Sequence, residues 1–236
     1  MTDAHILVIN CGSSSLKFSV LDMHGERELA AGKIEHIGEG ATGPADHRVA
    51  LAQALAGITE PDRIAAVGHR VVHGGPRFLA PERMDAAALA ELARFDALAP
   101  LHNPANRLGI ALGMELLPGR PHVAVFDTAF HHSLPPAARE YAVPRAWRER
   151  GVRRYGFHGT SHRYVSREAA RMLGKSPADT NLISLHLGNG SSITAVRGGE
   201  SVDTSMGMTP LEGLVMGTRA GDIDPGALLF LLREGL

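Results

Sequence analysis

Apolar residues enter the chain as short runs broken by glycine and small polar side chains. Ile6 to Ile9 form the first run, Gly12 to Ser15 interrupt it, and Leu16, Phe18 and Val20 then alternate with Lys17 and Ser19. That spacing predicts two strands joined by a tight polar turn. Met23-His24-Gly25 turns the chain into a third strand, roughly 26 to 37, which completes an antiparallel meander. A loop over 38 to 46 and a short Ala-rich helix near 48 to 56 follow. Ile64 to Val67 reads as a buried strand that delivers Gly68-His69-Arg70 at its end. Asp85 is placed to cap a helix that sets Leu89, Leu92 and Phe95 on one face. Asn103 is placed to cap the next, with Pro104 in its first turn and Pro118-Gly119 at its end. Val123 to Phe126 is another strand, with Asp127 at its carboxyl end. Strands and helices in this order predict a layered α/β fold with ligands at strand ends.

The second half opens with Pro135-Pro136, Pro144 and Trp147, an irregular crossing, and YGFHGTSH then leads into a helix from about Ser161 to Leu173, capped by Thr160 or Ser161. Residues 182 to 196 repeat the grammar of the opening hairpin: an apolar run, a Gly/Asn/Ser turn and a β-branched exit strand. Gly198-Gly199 turns into SVDTSM, and a polar loop runs through Gly207 to Pro210. A short helix is predicted for LEGLVM and a last one for GALLFLLREGL, which has almost no polar face and calls for neighbours on every side.

With 236 residues and 44% hydrophobic content the chain can bury a real core, as one large domain or two small ones. A net charge of −1 carries no field for a nucleic acid or a membrane surface. The single cysteine excludes a disulfide within the chain and fits a reducing cytoplasm. The N-terminus lacks a basic region before an apolar run, and no run reaches the length of a membrane span.

Two stretches carry candidate chemistry. In the first turn Asn10, Ser13, Ser14 and Ser15 supply an amide and hydroxyls, Gly12 lets backbone N–H groups face outward, and Lys17 adds a cation. Such a tip suits a phosphate or a hydrated Mg²⁺, though alone it reads equally as a Gly/Ser turn with a solvated lysine. The second copy, Gly190-Ser191-Ser192, suggests two related domains holding one polyphosphate. Arg70 and Arg219 stand in glycine-flanked polar settings where a planar guanidinium grips a carboxylate or a phosphoryl group through two bonds, the alternative being structural ion pairs. Asp127 reads as a positioning or Mg²⁺-linked residue together with Asn10, with general base second and a capping role third. His158 and His162, four apart, do not make a zinc pair: Gly156 and Gly159 break a helix there and no third ligand is near.

The motifs NCGSSSLKF at 10 to 18, GHRVVHGG at 68 to 75, PLHNP at 100 to 104, FDTAFH at 126 to 131, YGFHGTSH at 155 to 162, HLGNGSS at 186 to 192 and the run from Asp203 to Pro225 resemble the acetate kinase family, in order and along nearly the whole chain. The resemblance implies two ribonuclease H-like domains of the actin-like ATPase superfamily, with mixed sheets flanked by helices, spanning 1–130 and 131–236, the second incomplete. It also implies Mg²⁺- or Mn²⁺-dependent phosphoryl transfer between ATP and acetate, giving acetyl phosphate and ADP, in a cytoplasmic homodimer. Propionate or butyrate kinase and a non-catalytic actin-like protein are the rivals, and the joint presence of Arg70, His158 and Arg219 argues against the last.

By the same resemblance His158 contacts the phosphoryl group in flight and Arg70 and Arg219 line its site. Val72, Leu101, Phe157 and Pro210 form a small acetate pocket, and Ser13, Ser15, Lys17, His186, Leu187, Gly188, Asn189 and Gly190 hold nucleotide phosphates. Acetate kinases are longer, with their adenine-binding segment beyond position 236. The expectation is therefore a chain holding the first domain and about half of the second, with little kinase activity by itself.

Overall fold

A computed structural model describes residues 4–40 and 43–236, and within it the chain divides into two compact units, Met1–Ala129 and Phe130–Leu236. In unit 1 the meander forms as β1 (His5–Cys11), β2 (Leu16–Asp22) and β3 (Arg27–Ile34), with Ile9 opposite Phe18 and Asn10 opposite Lys17. Ala41 and Thr42 of the expected loop at 38 to 46 lie outside the described residues. Helix α1 (His47–Ala56) is capped by Asp46, whose carboxylate accepts from the Val49 N–H at 2.9 Å. Strand β4 (Ile64–Val71), the short β5 (Glu82–Arg83) and β6 (His122–Phe126) complete a mixed six-stranded sheet in the order β3-β2-β1-β4-β6-β5. The pairs β1–β4 and β4–β6 are parallel, so their carboxyl ends open on one edge. Gly68-His69-Arg70 lies inside β4 rather than beyond it. The apolar run alone suggested an earlier end, but the parallel ladder continues through Val71, opposite Phe126.

Helix α2 (Ala86–Ala93) begins at Asp85 as its side chain predicts, the carboxylate accepting from Ala88 N–H at 2.8 Å. Helix α3 (Asn103–Leu116) departs from expectation, because its N-cap is His102 and Asn103 lies inside the first turn. The Asn103 side chain is occupied elsewhere: its oxygen accepts from His73 N–H at 3.1 Å and its amide donates to the His73 carbonyl at 2.9 Å. One turn on, Asn106 donates to the Cys11 carbonyl at 2.7 Å and accepts from Val72 N–H at 3.0 Å. These two buried amides tie the ends of β1 and β4 to one helix. Two glycines let that helix lie close: a Cβ on Gly109 would stand 2.6 Å from the Cβ of Cys11, and one on Gly113 would stand 3.0 Å from the His69 ring. Leu7, Ile9, Val67 and Leu51 form one cluster of the core, and Val71, Phe78, Ile110 and Phe126 a second.

Unit 2 contains the short helices α4 (Pro136–Arg139) and α5 (Arg145–Glu149), the long α6 (Gly159–Met172), and a three-stranded antiparallel sheet of β7 (Asn181–Leu187), β8 (Ser191–Arg197) and β9 (Glu200–Thr204). The β7–β8 hairpin is the predicted second copy, with Leu187 opposite Ser191. Neither Thr160 nor Ser161 caps α6. His158 is its N-cap, in the left-handed region at φ 57°, and the Ser161 hydroxyl instead meets His186 Nδ1 at 2.9 Å. The helix predicted for LEGLVM does not form. Gly213 there has φ 103°, and Glu212 is drawn toward Arg154 and Tyr141, so the segment is a string of bends. Helix α7 (Pro225–Arg233) forms with Asp224 as its cap, yet none of its residues is buried. Among the described residues no helix is long and apolar enough to cross a membrane.

Two predictions follow from the buried polar groups. Removing Asn106 orphans the Cys11 carbonyl and the Val72 amide at once. At about 1–3 kcal/mol for each orphaned group, Asn106→Ala should lower the urea midpoint clearly, and a loss under about 1 kcal/mol would mean that water replaces both bonds. The second prediction concerns His69, whose Nε2 lies 2.9 Å from His122 Nδ1 in the core. Burial, with the neighbouring His122 ring adding to it, pushes His69 down to about 3 from 6.5. The folded ring therefore stays neutral where the unfolded chain takes up a proton. Its stabilisation is fully present above about pH 6.5 and is lost as the pH falls toward the folded value, at about 1.4 kcal/mol per pH unit for each withheld proton. The urea midpoint, followed by far-ultraviolet circular dichroism, should drop between about pH 6.5 and pH 4, less steeply in His69→Gln. An identical slope in the variant would show that His69 withholds no proton.

Candidate active site

In unit 1 the polar candidates sit where the parallel strands end. Asn10 and Arg70 are the penultimate residues of β1 and β4, and Asp127 follows the last residue of β6. Asp127 is buried and its N–H donates to the Val71 carbonyl at 2.9 Å, which fixes its carboxylate beside β4. Arg70 grips that carboxylate through two nitrogens: Nε lies 3.1 and 3.2 Å from its oxygens and Nη2 lies 2.6 Å from Oδ2. The carboxylate pushes the guanidinium further above its ordinary pKa, and the Arg70 side chain remains 41% exposed. The pair therefore presents a fixed guanidinium at the strand ends. Asp127 is committed to holding it, a poor state for a general base.

The turn of the first hairpin is closed by Gly12 N–H donating to the Ser15 carbonyl at 2.7 Å, and His47 of α1 reaches the Gly12 carbonyl at 2.8 Å. Ser13 is exposed and Ser15 half-buried, while Lys17 is exposed directly opposite Lys33. Val72 is half-buried, its N–H held by Asn106, whereas Leu101 is 77% exposed on the turn before α3.

In unit 2 the candidates draw together around Gly190. A Cβ there would stand 2.6 Å from Arg219 Nη2 and 3.4 Å from both Cε1 and Nε2 of His158, so only glycine leaves those two side chains their present places. Asn189 belongs to the same cluster, since its carbonyl accepts from Gly217 N–H at 3.2 Å. Arg219 Nη1 donates to the Pro210 carbonyl at 2.6 Å, which brings one more candidate into the cluster. The His158 ring stacks on His186 with centroids 4.1 Å apart. Gly188 completes the turn, and Leu187, the last residue of β7, is 69% exposed. Phe157 is the exception. It is closed into the core at 1% exposure, and its carbonyl accepts from His131 Nε2 at 2.9 Å.

A cationic guanidinium, an imidazole edge and a glycine turn meeting at one point suit an anion with several oxygens. The left-handed backbone of His158 supports the same reading. Such strain in a residue other than glycine persists where the surroundings over-determine it, as they often do at sites.

Several residues that shape these clusters went unread in the sequence. Asn103 and Asn106 were legible only as a helix start, although their three-residue spacing puts two amides on one helix face. Arg154 is the strut of the 204–213 loop. Its Nη1 donates to the carbonyls of Thr204, Ser205 and Met206 at 2.9 to 3.0 Å and its Nη2 to Glu212 at 2.5 Å, an environment no local motif announces. His131 donates to Phe157 and meets the Ser201 hydroxyl at 2.8 Å, and it tethers the segment before His158 to β9.

The family model described as the Acetokinase family matches residues 5–235. An acetate kinase of Streptomyces avermitilis is 52% identical over 260 residues, which cover all of this chain and 64% of that protein. Among solved structures, the acetate kinase of Porphyromonas gingivalis superposes with a TM-score of 0.93 at 42% identity, over 99% of this chain and 65% of that one. A propionate kinase from Francisella tularensis does so with a TM-score of 0.92, also at 42% identity and with the same coverage. The chain thus spans just under two thirds of the length of the relatives it matches. Its ordered motifs, its mixed sheet with polar residues at parallel strand ends, and these matches agree: the chain belongs to the acetokinase family.

Proposed function

We infer that the protein transfers the γ-phosphoryl group of ATP to the carboxylate of acetate, reversibly, giving acetyl phosphate and ADP. The observation that carries this reading is the convergence of Arg219 and His158 on Gly190 in a chain of the acetokinase family. A carboxylate oxygen forms the new bond to phosphorus as the bond to the bridging oxygen of ADP breaks. Acetate has a pKa of about 4 and is ionised at neutral pH, so no proton has to be removed. That fits an Asp127 engaged by Arg70. The work left to the protein is alignment and charge neutralisation.

Arg70 and Arg219 offset the charge of the transferring group, and His158 donates to one of its equatorial oxygens. Asn189, Gly190 and the turn from Gly12 to Ser15, with Lys17, hold phosphates. Mg²⁺ or Mn²⁺, when bound to the nucleotide, neutralises its phosphate oxygens. The amide oxygen of Asn10 and the Asp127 carboxylate are hard donors that would hold such an ion. Val72, Leu101 and Pro210 belong to the acyl end of the site, whereas Phe157 is closed into the core. Two actin-like domains, a homodimer and residence in the cytoplasm belong to the same reading.

Propionate is the second reading, favoured by the propionate kinase among the structural relatives. An apolar pocket separates acids differing by one methylene by only about 1–3 kcal/mol. Incubating the full-length protein with ATP, Mg²⁺, hydroxylamine and acetate should trap the acyl phosphate as hydroxamate, and parallel reactions with propionate and butyrate rank the acceptors. No hydroxamate above an acid-free control with any of the three would sink the assignment. Arg219→Ala should lower turnover by roughly two to three orders of magnitude, the scale of one lost donor to a developing charge, at nearly unchanged melting temperature. A variant that melts early or keeps its rate would make Arg219 a strut for the Pro210 carbonyl.

A further inference from the structure

Behind His158 runs a line of buried hydroxyls and imidazoles that phosphate binding does not require. His158 Nδ1 lies 2.9 Å from Ser192 Oγ, and the same oxygen lies 2.8 Å from His162 Nε2. His162 Nδ1 in turn lies 2.9 Å from Ser184 Oγ. Ser192 and His162 are fully buried, and Ser184 is 3% exposed. The spacing that looked like a metal pair, His158 and His162 four residues apart, places both rings on one hydroxyl.

Proton accounting restricts this chain to one arrangement. A serine hydroxyl has one proton to give, and a neutral imidazole has one N–H and one acceptor nitrogen. Burial first, and then the nearby His131 and His186, pushes His162 down to about 4, so its ring carries a single proton. Among the described residues neither Ser184 Oγ nor Ser192 Oγ has a side-chain or backbone partner outside the chain. If His162 carried its proton on Nδ1, the Ser184 proton would be buried without an acceptor. Placing it on Nε2 lets Ser184 donate to His162 Nδ1, His162 donate to Ser192, and Ser192 spend its one proton on His158 Nδ1. The His158 proton must then sit on Nε2, the atom beside Gly190 and Arg219. If His158 held it on Nδ1 instead, two N–H groups would face Ser192 and the Ser192 proton would be stranded.

We propose that Ser184, His162 and Ser192 are positioning residues that hold His158 in the Nε2–H tautomer, so that it presents a donor and not a lone pair to an anionic phosphoryl group. The stack on His186, itself tied to Ser161, fixes the ring plane while the hydroxyl chain fixes the proton. This rests on the kinase reading only for what the donor faces. The tautomer itself is a property of the chain.

The test is long-range ¹H–¹⁵N correlation spectroscopy of the full-length protein labelled at histidine, at a pH where His158 is neutral, with His158 and His162 assigned by the resonances lost in His158→Gln and His162→Gln. Wild-type protein should show both rings as Nε2–H tautomers. Either ring as Nδ1–H overturns the proposal without any variant having to fold. Ser184→Ala, two links from His158 and in contact with neither His158 nor Gly190, should turn His158 into a mixture of tautomers. Turnover should fall in proportion to the competent fraction, roughly two- to tenfold, with the KM for acetate little changed. Ser192→Ala should mix the tautomers more completely. If His158 stays wholly Nε2–H in both variants, something else sets its proton and the relay is wrong. A wild-type protein with the expected tautomers that forms no acyl phosphate would sink the kinase reading while upholding the relay.

Discussion

Backbone that leaves a sheet to surround a ligand gives up its ladder partners, and buried N–H and C=O groups left unpaired cost about 1–3 kcal/mol each. The organisation of both units follows from how that debt is met. In unit 1 two asparagines on α3 take the amide and carbonyl of His73, the amide of Val72 and the carbonyl of Cys11, so the ends of β1 and β4 are held by side chains of one helix. In unit 2 a single guanidinium, Arg154, donates to three successive carbonyls, from Thr204 at the end of β9 to Met206. The first device holds the backbone N–H of Val72, itself a candidate residue. The asparagines brace the end of β4, where Arg70 lies, and Arg154 braces the start of the 204–213 segment.

Histidine does similar work deeper in the molecule. His69 and His122 pair in the core of unit 1, and His131 and His162 link hydroxyls and a carbonyl in unit 2. A neutral imidazole suits such positions because it offers one donor and one acceptor at fixed separation and needs no counter-charge. Burial lowers the pKa of all four rings, which keeps them in the uncharged form that makes them useful as connectors.

What could be read from the sequence was what local chemistry decides. Alternation in Leu16 to Val20, the polar turns at Gly12 and Gly190, and Asp85 ahead of an alanine run each act over a few residues, and the hairpins and the α2 cap stand where those patterns put them. Predictions went astray where a distant partner outbid a local preference. Asn103 was drawn away from its helix start by His73, thirty residues earlier. Glu212, pulled to Arg154 and Tyr141, turned a helical pattern into bends. The candidate site was legible in the two turns and the two arginines. Its supports were not, because Asn106, Arg154 and Ser192 look like ordinary polar residues until the chain is folded around them.

The division after Ala129 has an optical consequence. The only tryptophan, Trp147, and all three tyrosines, Tyr141, Tyr155 and Tyr164, lie in Phe130–Leu236. Ultraviolet fluorescence and the tyrosine and tryptophan bands of near-ultraviolet dichroism therefore view one unit and are blind to the six-stranded sheet. Trp147 is already 53% exposed, so its emission has little further to shift on unfolding. Any event in the first unit, including a change at the Arg70–Asp127 pair, is dark to these probes and needs a reporter placed there.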